Sequence, residues 1–409
     1  MNRIVGRPVG TTTKRTRALR FLLVAACLWL AWLGGAAAKD AMAPVEVRNP
    51  WPPQIVVGSD GLAHLAYELH VSNFYGDTGV LHLRRLSVLA EGSSTPLAAF
   101  DGAALAQMVY PHAAEDAKPG ANLSIKPGAR AIVFIWLSLP ARQPVPAFLR
   151  HRLEFETDHA GTTSVDGARV EVNARPPVVL GAPLHGHWIA TEGPGNSRSH
   201  HWGSLVAVNG QLTIPQRYAL DLIGVDADGH AVRAGAGELR KSKHADWFGF
   251  GTDVLAVADG VVRSAHDGVV DNQPLAPQSE PGSLTADGLY GNYVVLQLAP
   301  DVFVHYAHLQ RGSVLVKAGD RVHRGEVLGH VGQSGNTGGP HLHFQVSNAA
   351  TFEGSEGVPF VFDAFLLQGK WSVEQAIDPR ATFHPAGASD MHRREMPLDD
   401  DMIGLSPGH

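Results

Sequence analysis

The apolar runs of this chain are short, alternate with polar residues, and end on glycine or proline. Residues 63–71 (Ala63 to Val71) place apolar and polar side chains on opposite faces, as a half-buried strand requires. Residues 80–89, 130–139 and 150–156 repeat the pattern, separated by turn-formers such as Lys126-Pro127-Gly128. From Gly249 onward more short strands follow with glycine turns between them and no convincing helical period. The expected fold class is therefore all-β. Residues 43–173 read as a β-sandwich of immunoglobulin-like character, an accessory module that binds or spaces. It lacks the disulfide of antibody domains, since the only cysteine is Cys27.

Residues 1–38 carry six basic side chains and no acid, then an apolar run over 21–33 and the small residues Ala36-Ala37-Ala38. This is the pattern of an export signal. Cleaved, it leaves a periplasmic or extracellular protein. Uncleaved, residues 21–38 would attach the chain to the inner membrane, since the apolar stretch of about 18 residues is nearly long enough to span one. Without the leader the formal charge moves from −6 to −12, which excludes sequence-independent binding to nucleic acid. No cysteine is left in the cleaved chain, so no metal site in it uses thiolates.

Ala174-Arg175-Pro176-Pro177 marks a boundary, with residues 174–199 read as a linker. A second domain follows over residues 200–368. Residues 369–409, with Asp399-Asp400-Asp401 and little apolar periodicity, read as a partly disordered tail.

Chemistry-bearing residues gather in that second domain. Gly335-Asn336-Thr337-Gly338-Gly339-Pro340 forms a turn that runs into His341-Leu342-His343-Phe344. Residues two apart on a strand share a face, so His341 and His343 point the same way. Two imidazoles so placed suit a metal ligand beside a proton-transfer group. Asp221 lies inside an apolar strand, where a carboxylate needs a partner. Upstream of it stand His200-His201-Trp202-Gly203, and Asn209-Gly210 signals a hairpin between the two. Another hairpin is expected across residues 317–322. His305, three residues before His308, is expected on the face opposite to it.

In order, residues 254–262, Tyr290 to Val295, His305-Tyr306-Ala307-His308-Leu309, Gly319-Asp320-Arg321-Val322 and Gly335 to Phe344 resemble the lysostaphin-type (LytM-like) zinc metalloendopeptidases. The resemblance covers roughly residues 200–350. It implies the family's small antiparallel-sheet domain, related to the duplicated hybrid motif. It also implies one Zn2+ per chain and hydrolysis of peptidoglycan stem peptides in the bacterial cell wall. On this resemblance His343, Asp221 and His201 are the zinc ligands, with His200 as the alternative to His201, and His308 and His341 are the catalytic pair. The family's aspartate usually lies four residues after the first histidine, whereas Asp221 lies 20 after His201, so an inserted hairpin must restore proximity. A member without working chemistry would instead bind or activate another wall hydrolase. A zinc peptidase acting on a soluble protein is a third reading.

Overall fold

The computed structural model describes residues 43–406, apart from 113–116, 159–160, 197, 278–282, 284, 386 and 388–389. Residues 1–38, read as the leader, lie outside this set. The fold is all-β. Among the described residues the only α-helices are short, Gly102–Met108, Ala286–Leu289 and Val373–Ile377. None is long and apolar enough to cross a membrane.

The alternating stretches form long antiparallel strands. Leu62–Asn73 pairs with Arg130–Pro140 in one five-stranded sheet, and Leu81–Ala90 with Phe148–Thr157 in another. Leu65, Tyr67, Val133 and Ile135 from the first sheet meet Leu83, Leu86, Leu153 and Phe155 from the second in one core, all of them buried. Each such side chain contributes ~1.5–3 kcal/mol of burial.

The other face of the first sheet is not solvated, contrary to the half-buried expectation. Val56, Ala66, Ile132 and Phe134 point away from the sandwich into the core of the second half, beside Trp188, Trp202 and Tyr218. Even the polar residues of that face, His64, Glu68 and His70, are buried.

The second half is built on a ten-stranded antiparallel sheet. Its strands run in space from Arg321–Val322 through Gly260–His266, Asn292–Ala299, Val302–Leu309, Leu342–Ser347 and Leu220–Val225. They continue through Gly186–Thr191, Asp401–Leu405 and Phe365–Lys370 to Asp390–His392. A parallel pair stands outside it, Val178–Leu180 with Phe360–Phe362.

Three expectations are corrected here. Residues 174–199 hold two strands rather than a linker, and Gly186–Thr191 is central to the sheet, sending Trp188 and Ala190 to one side and Ile189 to the other. In the supposed tail, the last of the three aspartates and the short apolar run after it form Asp401–Leu405, fully buried beside Gly186–Thr191. The 317–322 hairpin does not form. Arg321–Val322 pairs with Gly260–Val261, while Val327–His330 pairs with Asp253–Leu255, so each strand finds a partner distant in sequence.

Candidate metal and catalytic site

Asp221 and His343 are direct partners across the Leu220–Val225 and Leu342–Ser347 strands, so both side chains leave the same face. Their neighbours Leu220, Leu222, Leu342 and Phe344 fill the core on the other face.

His201 comes from the loop over residues 192–204. After it, Val208 pairs with Gln211 around an Asn209-Gly210 turn in which both residues are left-handed, φ 50° and 77°, the conformation of a type I′ hairpin. The excursion closes the 20-residue gap and leaves His201 Nε2 3.4 Å from Asp221 Oδ1.

His308 reaches the same face through a bulge. Phe303 and Ala307 pack on the site side, whereas Val304, Tyr306 and Leu309 fill the opposite core. Parity flips between Ala307 and Leu309 because Ala307 and His308 together oppose Tyr293 alone. His308 takes the left-handed conformation, φ 61°, at a cost of ~1–3 kcal/mol for a non-glycine residue. Its N–H donates to Tyr290 O at 2.9 Å and its carbonyl accepts from Gly332 N at 3.1 Å, which hold the bulge. The bulge also corrects the placement of His305. That residue opposes Gln345 on the site side and bonds to Ser347 Oγ at 2.7 Å, one layer away from the centre.

His341 precedes its strand at the end of the glycine-rich turn. Gly335, φ 80°, is needed there because a Cβ would lie 2.4 Å from Gly291 N.

These elements converge on one carboxylate oxygen. Asp221 Oδ1 lies 2.9 Å from His343 Nδ1, 3.3 Å from His341 Nε2 and 3.4 Å from His201 Nε2. The ring of His308 is 4.8 Å from that of His341 and 5.8 Å from that of His343. In each of the four imidazoles the second nitrogen has an outward partner. His201 Nδ1 bonds Glu192 O at 3.0 Å, His341 Nδ1 bonds Gly339 O at 2.9 Å, and His308 Nδ1 bonds Ser334 O at 2.8 Å. His343 Nε2 meets Gln345 Oε1 at 2.9 Å, and Gln345 Nε2 donates to Pro215 O, which orients the amide. Assigned from this network, the ring protons of His201, His341 and His308 sit outward, whereas His343 Nδ1 bonds Asp221 Oδ1 at 2.9 Å. His201 Nε2 and His341 Nε2 are accordingly buried without a hydrogen-bond partner.

Electrostatics follow the crowding. Burial would raise the Asp221 carboxyl, but the imidazoles of His341 and His201 hold it well below the usual range. Burial pushes His201 down to about 3 and His308 well below the ordinary imidazole value, the latter reinforced by His341 and His343. His341 is raised, the Asp221 charge overcoming its burial.

All six sequence-indicated residues thus come together, and His200 is the outlier among them. Its Nε2 is 3.7 Å from Asp221 Oδ2, and the ligand atoms of His200, His201 and Asp221 all fall within 4.8 Å of one another. Yet its side chain is 65% exposed and its Nδ1 faces Glu192 Oε2 at 3.2 Å. Two contributors went unread in the sequence. Gln345 sits two residues beyond His343 and could have been found by alternation. Glu192, whose carbonyl orients His201, carries no local signal.

Residues 242–354 match the sequence profile of Peptidase family M23. That stretch contains His308, His341 and His343, while His201 and Asp221 lie upstream of it. The chain is 35% identical over 95 residues to the peptidoglycan DD-endopeptidase ShyC of Vibrio cholerae, covering 23% of this chain and 19% of the relative. It is 40% identical over 79 residues to the DD-carboxypeptidase/endopeptidase Mpg of Neisseria meningitidis, covering 17% and 18%. The chain thus spans about a fifth of the length of these curated relatives. A crystal structure of a putative M23 peptidase from Pseudomonas aeruginosa aligns over 75% of this chain and 90% of its own, at 16% identity and a TM-score of 0.25.

Proposed function

We propose, from the M23 peptidase domain at residues 242–354, that this chain is an exported zinc metalloendopeptidase cutting peptide cross-links of peptidoglycan. The names of its relatives support a cell-wall substrate, and the basic, then apolar, residues 1–38 support export.

One observation carries the metal. Three imidazole nitrogens lie within 3.4 Å of the same buried carboxylate oxygen, and two of them, His201 Nε2 and His341 Nε2, are buried with no hydrogen-bond partner. Lone pairs facing a carboxylate are repulsive unless a cation joins them, so the donor set fits zinc. His201 through Nε2, Asp221 through its carboxylate and His343 through Nδ1 would hold the ion and leave one tetrahedral position open. His200 is too exposed, and too engaged with Glu192, to replace His201 in that set. Zinc so bound supplies a Lewis acid for the scissile carbonyl and a water of near-neutral pKa.

The chain's own groups do the rest. His341 and His308 present bare Nε2 atoms into the centre, anchored from behind by Gly339 O and Ser334 O. One of them takes the proton of the attacking water and returns it to the leaving amine. The other, protonated, donates to the developing oxyanion.

The test is metal content and wall digestion on the purified protein. The expected result is one zinc per chain, lost in His343→Ala, Asp221→Ala and His201→Ala but mostly kept in His200→Ala, with cleavage of cross-linked wall peptides by the wild type. Stoichiometric zinc surviving the three ligand changes would remove the site. Zinc-loaded wild type that cleaves no cross-link would favour a non-enzymatic activator of another hydrolase.

A further inference from the structure

The loop carrying His201 is fastened by parts of the chain to which the reaction gives no task. Its internal knot is Glu192, left-handed at φ 55°, whose carbonyl accepts from Ser199 Oγ at 2.8 Å and His201 Nδ1 at 3.0 Å. That knot decides which nitrogen of His201 faces Asp221, but not where the loop sits. Two outside grips set its place. From the C-terminal side, Asp399 accepts from Gly193 N at 2.9 Å and from Asn196 Nδ2 at 3.3 Å.

The second grip comes from the sandwich. Trp202, the residue after His201, is 1% exposed and lies edge-on to Phe134 and tilted against Trp136, with ring centroids 5.7 and 5.9 Å away. Both belong to the Arg130–Pro140 strand. Trp136 also covers Gly195, where a Cβ would stand 3.4 Å from the indole. Behind it the indole stacks on His64 at 4.3 Å, and His64 is tied by its two ring nitrogens to Ser138 and Asp60. The indole is therefore a braced wall against which two points of the loop rest.

We infer that the N-terminal sandwich is a working part of the metal centre, Trp136 positioning His201 by bracing Trp202 and Gly195. The inference rests on the reading of His201 as a ligand. A ligand on an unbraced loop must be ordered when the ion binds, and that ordering weakens affinity. Groups that orient a ligand from behind are typically worth about 10–100-fold in metal affinity.

The experiment measures zinc affinity by competition with a chromophoric chelator, alongside thermal unfolding of the zinc-free protein. Trp136→Ala should weaken zinc binding by about 10–100-fold, and Trp136→Phe should restore most of it. Leu153→Ala, in the sandwich core away from this wall, serves as the control for lost stability. It should lower the unfolding temperature and leave zinc affinity unchanged. Trp136→Ala binding zinc like the wild type, or Leu153→Ala weakening zinc equally, would overturn the inference. His201→Ala keeps the two readings apart. If it retains full affinity, the ligand assignment fails. If it loses zinc while Trp136→Ala does not, only the positioning role fails.

Discussion

Arg217 is a buried charge between two buried carboxylates, and its removal has a calculable effect. Its guanidinium bonds Glu68 Oε1 at 3.2 Å and Glu356 Oε2 at 3.0 Å, all three side chains being no more than 5% exposed. Glu68 belongs to the sandwich and Glu356 to the segment after the Leu342–Ser347 strand, so one cation joins both halves to a net charge of −1. Arg217→Met leaves two carboxylates uncompensated, and breaking a buried pair in this way costs ~3–5 kcal/mol. Glu356 can escape by protonation, which at pH 7 costs ~3 kcal/mol relative to an ordinary carboxyl near 4.5.

The dependence on pH has a definite sign. Burial raises Glu356 to about 7, against the pull of Arg217 and with the help of Glu68. A folded value above the unfolded one means stability is fully present below about pH 4.5 and lost as pH rises through about 7, by ~3 kcal/mol. Without Arg217 the pull that lowers Glu356 is lost and its value moves further up, so the variant's deficit should grow as pH rises past about 7. Urea unfolding followed by tryptophan fluorescence should show a gap of ~3–5 kcal/mol at pH 7 that widens at higher pH. Adding Glu68→Gln to Arg217→Met should recover part of it. A gap below ~1 kcal/mol at pH 7, or one that does not widen as pH rises above about 7, would refute the reasoning.

Two predictions concern the reaction. His341→Ala and His308→Ala should keep zinc content near normal and lower turnover by about 10²–10⁴-fold, with less than additive effects together, read by hydrolysis of cross-linked wall peptides. Undiminished cleavage by either variant would remove it from the proton-handling pair. Gln345→Leu should weaken zinc about 10–100-fold by freeing the His343 ring, while Gln345→Glu, which still accepts from Nε2, should retain most of the affinity in a chelator competition.

The strands were legible because period-2 alternation is a local property. Residues 63–71 and 130–139 announce themselves within a single window. What alternation could not reveal is that both faces of that sheet are buried, since the covering residues, Trp188, Trp202 and Tyr218, come from the other half. Gly186–Thr191 was hidden by glycine- and histidine-rich flanks, and Asp401–Leu405 by a run of three aspartates of which it takes the last. Each is a short strand stabilised by tertiary partners, which local pattern does not report.

The site divides along the same line. His343 was readable because H-x-H on a strand fixes its face, and Asp221 because a lone carboxylate in an apolar strand requires partners. Gln345 obeys the same rule two residues further on. His308 breaks it, because strict alternation from His305 sends that side chain to the wrong side and only the bulge returns it. The bulge depends on Tyr290 O and Gly332 N, neither adjacent in sequence. Trp136 is further removed still, since it acts on the His201 loop from a distant segment. A site whose ligands are announced locally but positioned remotely tolerates recognition from short motifs. On the proposed metal reading, its affinity would be set in part by Trp136 and Asp399, which hold the His201 loop from segments far away in sequence.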